Sequence, residues 1–254
     1  MAISRQRSIT SPDVAVRLCF EDRTYVRRPG DTLETDLGVL DIPLDVTPGD
    51  ELETHLGYVF AVRAIRPPDC FEVFERSGAP MRPRDIGLVM GAAGVTVGDR
   101  VVDVGTGTGV LAAYLGFAGC RVLSFERDPA AADIARHNLT LVDLEDQVTV
   151  RTADAREAFA AAALGPADLV TLDTGNAPDL IEHVHEILRP GGFLAVYSPF
   201  VESARAVVEA ARDSLIDVNT IETIQRELEI DERGTRPSTG PVGHSGYLTV
   251  ARRQ

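Results

Sequence analysis

The chain has no lysine and no tryptophan, and only three of its 254 residues are cysteine. The cysteines lie far apart and form no CxxC pair, so we expect neither a zinc site nor a disulfide framework. No apolar run reaches the roughly 18 residues that a membrane-spanning helix needs. The first ten residues include arginine but lack the apolar segment of a secretory signal. We therefore expect a cytoplasmic protein that binds no metal and does not associate with a membrane.

The charge is strongly unbalanced. All 25 basic residues are arginine, and 39 acidic residues give a net charge of −14. An acidic surface without lysine is typical of a halophile, because carboxylates keep the surface hydrated while salt screens their repulsion. Compositional drift in a GC-rich genome is the alternative explanation. A negative chain disfavours a nucleic-acid partner on average, but it does not exclude a local cationic patch.

The pattern of predicted elements changes after about residue 70. Residues 13–66 contain short β segments separated by Pro-Gly-Asp turns, which predicts a small β domain over 1–70 with a linker at 66–70. Apolar strands then alternate with helices, which predicts a doubly wound, Rossmann-like α/β sheet over 71–254. The main elements predicted in this second domain are strands at 100–105, 121–126, 216–230 and 246–252, and helices at 128–142, 179–188 and 201–214.

A glycine loop follows the first strand of the predicted α/β domain. The sequence Val101–Gly109 reads VVDVGTGTG, a strand that ends in a G-x-G-x-G turn and opens a helix. Glycines at such a turn take positive φ and let the backbone approach a ligand closely. A dinucleotide fold favours G-x-G-x-x-G, yet position 110 is valine. The loop therefore indicates S-adenosylmethionine (SAM) rather than NAD.

Two acidic residues end the next two strands. Glu126 is placed to accept hydrogen bonds from both ribose hydroxyls of the cofactor, and Asp154 from its adenine amino group. Either residue alone would be an ordinary solvated or capping carboxylate, but the ordered set resembles the class I SAM-dependent methyltransferases. The predicted cofactor-binding residues are Asp103, Gly105, Thr106, Gly107, Thr108, Gly109, Glu126, Arg127, Asp154, Ala155 and Asp173.

Four further segments resemble the tRNA (adenine-N1)-methyltransferases that modify a T-loop adenosine. They are Thr35–Gly38, His55–Tyr58, Met81–Asp85, and the ending formed by Arg236–Pro237 with Val242–Leu248. The resemblance extends over nearly the whole chain. It implies a class I methyltransferase sheet with a small N-terminal β domain that provides tRNA and oligomer contacts. It also implies SAM as cofactor, tRNA as partner, a homotetramer, and adenosine 58 as target, with adenosine 57 added in archaeal relatives.

The resemblance also implies two catalytic residues. Asp173 ends the fourth strand and Pro178 follows it, which resembles the family's L-D…P segment with a looser spacing. A carboxylate beside the exocyclic amine of adenine can orient the base, stabilise the charge that N1 methylation leaves, and accept the amine proton. A helix-capping role for Asp173 is the alternative. Tyr197 stands where the family has an aromatic residue, so it either stacks on an extruded adenine or is a half-buried tyrosine at a strand end.

Some residues depart from the family pattern or invite a simpler explanation. Arg82 replaces the tyrosine of the family's Y-P-K-D segment, which puts a stacking role at that position in doubt. We expect His244 to be a packed, hydrogen-bonded residue rather than a general base. His183 and His185 lie on alternate faces of a predicted helix, which is no metal site. A candidate phosphate-binding patch, for which a solvated β surface is the alternative, comprises Arg23, Arg27, Arg28, Arg63 and Arg66.

Two other functions remain open at this stage. The first is a SAM-dependent methyltransferase for a protein or small molecule, of the isoaspartyl or corrinoid type. The N-terminal β domain and the ending at 242–248 argue against it. The second is a non-catalytic tRNA-binding subunit, which should have lost its cofactor loop. The glycines of the loop, Glu126 and Asp154 are all present, which favours an active enzyme.

Overall fold

The structure is a computed structural model that describes residues 14–161, 164–240 and 243–254. The first ten residues and Val242, both used in the sequence analysis, lie outside these ranges. Within them the chain forms a four-stranded sheet, a seven-stranded sheet and two two-stranded hairpins. No helix in the described part of the chain is both long and apolar enough to cross a membrane.

The N-terminal part is a small β structure, as predicted. Its sheet is antiparallel with the order β2-β1-β6-β5, and β3 pairs with β4 in a separate hairpin. Leu18, Leu33 and Phe60 are fully buried between these elements and form the centre of a small core. The strands are β1 (Val16–Phe20), β2 (Arg23–Arg27), β3 (Thr32–Thr35), β4 (Gly38–Asp41), β5 (Glu51–Glu53) and β6 (Val59–Ala64).

The linker predicted at 66–70 is wrong, because these residues begin helix α1 (Pro67–Val73). Proline is tolerated in the first turn of a helix, where its missing N–H would have no partner in any case. The Asp69 carboxylate accepts a hydrogen bond from the Arg66 backbone N–H at 2.7 Å. Cys70 is fully buried. The segment is therefore packed structure. The domain boundary at residue 70 stays a prediction.

The second sheet has the order β12-β15-β11-β10-β7-β8-β9. Five adjacent strands of this sheet, β11, β10, β7, β8 and β9, run parallel to one another, and β15 is antiparallel to both of its neighbours. The strands are β7 (Arg100–Val104), β8 (Arg121–Glu126), β9 (Val148–Thr152), β10 (Ala167–Leu172), β11 (Leu188–Ser198), β12 (Ile216–Glu222) and β15 (Tyr247–Arg252). The helices around them are α2 (Pro83–Ala92), α3 (Val110–Phe117), α4 (Pro129–Thr140), α5 (Ala155–Ala161), α6 (Ala177–Ile187) and α7 (Val201–Ala211).

Apolar residues cover both faces of this sheet. Alternate residues of a strand point to opposite faces, so Val101 packs in one core with helices α1 to α4, and Val102 in another with α5 to α7. This arrangement confirms the doubly wound α/β prediction. The strand order reverses between β7 and β10, and sheets of this kind bind ligands at the carboxyl ends of the strands beside such a reversal.

The single strand predicted at 216–230 is wrong. Residues 216–222 form β12, which pairs with β15 at the edge of the large sheet. The chain then leaves the sheet, and β13 (Leu228–Asp231) pairs with β14 (Gly234–Pro237) in an exposed hairpin. The tight turn between β13 and β14 includes Gly234, whose φ is +136°. Alternation within 216–230 did not reveal the break between the two strands.

Candidate functional site

A cleft opens at the carboxyl ends of β7, β8 and β10. It consists of two adjoining cavities of about 350 Å³ each, which share Gly105, Glu126 and Asp173 in their walls. All predicted cofactor residues except Asp103 and Gly109 line one or both cavities. The structure therefore brings together residues from the ends of four strands, β7, β8, β9 and β10, that are up to about 70 residues apart in sequence, as parallel strands of a doubly wound sheet allow.

The glycine loop has the backbone conformation that the sequence predicts. Gly105, Gly107 and Gly109 have φ values of +89°, +52° and +83°. A Cβ on Gly105 would lie 2.1 Å from the backbone carbonyl oxygen of Asp173. The close approach at this position is thus between the loop and the end of β10. Any larger residue at 105 would push Asp173 out of place.

The Glu126 carboxylate is oriented by the backbone around it. One carboxylate oxygen accepts a hydrogen bond from the Gly107 N–H at 3.0 Å, and the other accepts one from the Asp128 N–H at 3.1 Å. These bonds fix the carboxylate between the glycine loop and the start of α4. Glu126 lines both cavities, together with the neighbouring Arg127. This is the position from which a carboxylate can accept bonds from ribose hydroxyls.

Asp154 lies at the far end of the same cleft. Its carboxylate accepts a hydrogen bond from the Arg156 backbone N–H at 2.8 Å, which caps helix α5. Ala153, Asp154 and Ala155 all line the cavity next to Phe125. The Asp154 side chain is about one third exposed, so it reaches both the helix and the cleft.

Asp103 lies beneath the cleft rather than in its wall. Its carboxylate is fully buried and accepts hydrogen bonds from the hydroxyls of Ser124 and Thr171, each at 2.5 Å. The Ser124 hydroxyl also lies 2.5 Å from that of Thr106 in the glycine loop. Burial raises the pKa of Asp103, and the two hydroxyls oppose that effect. Asp103 thus contacts the loop through Ser124, a residue that the sequence analysis did not single out.

A second contact holds the glycine loop where it enters helix α3. Asn138 on α4 is fully buried, and its side-chain amide donates a 2.9 Å hydrogen bond to the Thr108 carbonyl. The same amide also bonds the Glu75 carbonyl, and Asn138 Oδ1 accepts from the Glu75 N–H. This amide therefore joins the glycine loop to the segment after α1, a contact that no local sequence pattern predicted.

Asp173 follows β10 and lies on the walls of both cavities. Its backbone N–H donates a 2.8 Å hydrogen bond to the Val104 carbonyl, which holds it beside the glycine loop. Burial, followed by the nearby Asp103 carboxylate, raises the pKa of Asp173 to about 7. A carboxyl group with such a pKa can hold or release a proton near neutral pH.

Tyr197 lies near the end of β11. Its hydroxyl donates to the Asp85 carboxylate at 3.4 Å, and its ring packs on Gly246, where a Cβ would meet the ring at 2.4 Å. Burial raises the pKa of Tyr197, and the carboxylates of Asp85 and Asp173 add to the shift. Tyr197 is therefore close enough to Asp173 to share its electrostatic environment, although it lines neither cavity.

Sequence reasoning missed the structural role of the segment between α1 and α2. Ser77, Gly78, Ala79, Pro80 and Met81 form one rim of the cleft opposite the glycine loop. Arg84 of α2 donates a 2.9 Å hydrogen bond to the Ser245 hydroxyl, so the start of α2 is joined to the ending near residue 245. The Gly-Ala-Pro run was the available signal for an irregular segment here.

The remaining candidate residues have mixed outcomes. His244 is hydrogen-bonded as predicted, to Glu222 at 2.7 Å and the Pro199 carbonyl at 3.0 Å, but its ring is exposed rather than packed inside. The Pro199 carbonyl and then Glu222 raise its pKa. In the predicted phosphate patch, Arg23 is paired with Asp36 at 2.6 Å. Across the described ranges, no group of three or more His, Cys, Asp or Glu residues could hold a metal ion.

Comparison with known proteins shows the family to which the chain belongs. The family model described as tRNA methyltransferase complex GCD14 subunit matches residues 81–235. The tRNA (adenine(57)-N(1)/adenine(58)-N(1))-methyltransferase TrmI of Methanocaldococcus jannaschii is 31% identical to this chain, over 91% of each protein.

Two solved structures are similar over almost the whole chain. A SAM-dependent O-methyltransferase from Thermotoga maritima has a TM-score of 0.81 at 24% identity, covering 96% of this chain and 94% of that one. The tRNA (1-methyladenosine 58) methyltransferase TrmI from Aquifex aeolicus has a TM-score of 0.74 at 22% identity, covering 95% and 97%. At these identities the likeness shows the shared fold.

Proposed function

Because this chain belongs to the tRNA methyltransferase family of the GCD14 subunit, we propose that it methylates N1 of a T-loop adenosine in tRNA. SAM is the methyl donor, and adenosine 58 is the target, with adenosine 57 as a second one. The observation that carries the proposal is the position of Asp173. Its carboxylate lies on the wall of a cofactor-sized cleft, beside the glycine loop, with a pKa of about 7.

The residues of the cleft fit SAM. The glycine loop offers backbone without side chains, Glu126 offers an oriented carboxylate for the ribose hydroxyls, and Asp154 offers an acceptor for the adenine amino group. The loop reads G-x-G-x-G and has valine at position 110, so it lacks the G-x-G-x-x-G spacing of loops that bind a dinucleotide pyrophosphate. When bound, SAM supplies the electrophilic methyl group.

Asp173 supports methylation of N1 through its negative charge. The N1 lone pair forms the new bond to the methyl carbon, the bond between that carbon and sulfur breaks, and the electron pair stays on sulfur. The adenine becomes cationic as a result. An ionised Asp173 beside the exocyclic amine stabilises that charge and can then accept a proton from the amine. Its pKa of about 7 lets it do both near neutral pH.

Tyr197 is the candidate for contact with the extruded base. Its ring is fixed by Gly246 behind it and by the hydrogen bond to Asp85, so it lies at the end of β11 in one orientation. An aromatic ring held in this way can stack on a base that has been taken out of its helix. We assign it a binding role and leave the proton chemistry to Asp173.

We also propose that the active form is a homotetramer and that it works in the cytoplasm, where its tRNA substrate is found. Support comes from exposed apolar side chains on the N-terminal β structure, among them Leu56, Tyr58 and Val59, and on the β13–β14 hairpin, where Leu228 and Ile230 are exposed. Apolar surface of this kind is typical of contacts between protein chains. The N-terminal domain is then the source of tRNA and oligomer contacts.

The two alternative functions have less support. A methyltransferase for proteins or corrinoids would need no N-terminal β structure, yet the relative from Methanocaldococcus jannaschii matches this chain over 91% of its length. A non-catalytic subunit would not need to keep Glu126 oriented by the loop or to hold Asp173 at the cleft. The complete cleft favours a catalytic chain.

The test is a methylation assay in molar KCl. The protein is incubated with SAM and unmodified tRNA, and the tRNA is digested to nucleosides and analysed by mass spectrometry. We expect 1-methyladenosine as the product. Parallel reactions with an isoaspartyl peptide and a corrin precursor test the rival functions. Methylation of either of those, with none of tRNA, would overturn the proposal.

A further inference from the structure

Two arginines next to a segment that lines the cleft contact the same aromatic ring. The Arg76 guanidinium lies over the Phe71 ring with its Cζ 5.1 Å from the ring centroid, and the Arg82 guanidinium lies 5.9 Å from the same centroid. Arg76 also donates a 3.2 Å hydrogen bond to the Phe71 carbonyl. The two arginines flank the segment Ser77–Met81, which forms one wall of the cavity. We call Arg76 and Arg82 the arginine rim.

The arginine rim is not neutralised by carboxylates. Within the described ranges neither Arg76 nor Arg82 forms an ion pair, and their recorded partners are the Phe71 ring and its carbonyl. Nearby Arg84, in contrast, lies 3.7 Å from the Asp85 carboxylate. What distinguishes these two guanidiniums from the other arginines is that both contact one aromatic ring, on either side of a segment that lines the cleft. Their positive charge is available to an anionic ligand.

The position of the arginine rim indicates where an anion bound to it would lie. Arg82 comes directly after Met81, which lines the cofactor cavity, and three residues before Asp85, which accepts a bond from Tyr197. Neither Arg76 nor Arg82 lines the cavity itself, so their charges lie outside the cleft. An anion there is outside the two cavities assigned to the cofactor, next to the start of α2, which carries the Asp85 that bonds Tyr197.

Resting on the proposed function, we propose that the arginine rim binds the phosphodiester backbone of the RNA next to the target adenosine. Guanidiniums bind phosphate oxygens through two parallel N–H bonds, and the Phe71 ring pre-orients both side chains. A base extruded toward Asp173 brings its own 5′ and 3′ phosphates to the mouth of the cleft.

The experiment measures tRNA binding to the wild type, Arg76→Gln, Arg82→Gln and the double variant across a series of KCl concentrations. Each phosphate contact that is lost should reduce the slope of log Kd against log [KCl] by about 0.7–0.9. We expect each single variant to bind unmodified tRNA several-fold more weakly and the double variant to lose about twice as much slope. SAM affinity, measured by calorimetry, should not change.

Two controls make the result specific. Arg121→Gln removes one positive charge at the opposite end of β8 from Glu126, on the far edge of the sheet, and should leave the slope at the wild-type value. The double variant Arg76→Lys with Arg82→Lys keeps both charges and should restore the slope. Unchanged SAM affinity of the glutamine variants shows that these variants are folded.

The outcomes separate this inference from the proposed function. Slopes for the glutamine variants that match Arg121→Gln overturn the inference while leaving wild-type methylation intact. A raised SAM Kd with unchanged tRNA affinity also overturns it, because the guanidiniums would then bind the cofactor carboxylate. Wild-type protein that neither binds nor methylates tRNA would instead contradict the proposed function.

Discussion

Replacing Asp173 with asparagine should make the protein more stable and nearly inactive. Asn keeps the shape of the side chain and one acceptor oxygen, so the fold around β10 and the bond from the Asp173 N–H to Val104 are preserved. It removes the negative charge and the ability to accept a proton. Loss of the charge should stabilise the folded protein, because a buried negative charge disfavours folding. The same loss should slow methylation, because the charge supports catalysis.

The gain in stability follows from the pKa shift. An Asp173 pKa of about 7, against an ordinary value of 3.8, means that burial penalises the ionised form in the folded protein. Below about pH 4 the carboxyl is protonated in both folded and unfolded chains and carries no penalty. Between about pH 4 and 7 the unfolded chain loses a proton that the folded chain retains, so stability falls as pH rises. The full shift corresponds to about 4 kcal/mol.

Solvent reduces this figure because Asp173 is half-buried rather than completely enclosed. We therefore expect Asp173→Asn to raise the free energy of unfolding by about 1–3 kcal/mol above pH 8, and by little below pH 4. For a chain of this size that is a rise in Tm of a few degrees. Thermal unfolding of both proteins in molar KCl at the two pH values measures it.

The loss of activity should appear in the chemical step. Removing one electrostatic partner of a developing charge typically costs about 10²–10³ in rate. Single-turnover methylation of tRNA at saturating SAM isolates that step, since charge develops on the base only as the methyl group moves. Affinities for SAM and tRNA should remain near the wild-type values.

Asp154→Asn is the matched control, because it removes a carboxylate from the same cleft at the cofactor end. It should raise the SAM Kd and spare the single-turnover rate at saturation. A near wild-type single-turnover rate for Asp173→Asn would refute the reasoning about this carboxyl group. So would an Asp173→Asn protein that is less stable than the wild type above pH 8.

Three further predictions concern the site and the assembly. The wild-type kcat/KM should rise with pH through an apparent pKa of about 7, because only ionised Asp173 is active, and this acidic limb should vanish in Asp173→Asn. Gly105→Ala should abolish SAM binding in calorimetry, because its Cβ would lie 2.1 Å from the Asp173 carbonyl oxygen, whereas Gly87→Ala, with nothing within 4 Å, should bind normally. Light scattering should find a tetramer in molar KCl that dissociates as salt is lowered, because −14 charges per chain then repel over a longer range; a monomer in molar KCl contradicts this.

Local patterns in the sequence were enough to predict the sheet and most of the cleft. The G-x-G-x-G turn, Glu126 and Asp173 each follow an apolar run that forms a strand, and parallel strands bring their carboxyl ends to one edge. The position of the glycine loop and of these two carboxylates therefore follows from strand direction alone. The helix start at Asp128 was equally local, since its carboxylate accepts from the Ala130 N–H at 2.9 Å.

Contacts between distant segments could not be predicted in this way. The requirement for glycine at 105 comes from a carbonyl 68 positions later, and Tyr197 is held by Asp85, 112 positions earlier. Neither pair leaves a periodic signal, because each depends on how α2 and the ends of two strands pack together. The stacking of Arg76 and Arg82 on Phe71 is a further example, since it joins α1 to the start of α2.

The most direct test of the central claim locates the methyl group on the tRNA. Methylation of N1 blocks the pairing face of adenine, so reverse transcription of treated tRNA should stop at the modified position. We predict stops at adenosine 58, with a second at adenosine 57, that require both SAM and the protein and are lost with Asp173→Asn. A tRNA with guanosine at both positions should give no stop. Methylation that persists in that tRNA, or stops outside the T-loop, would contradict the account.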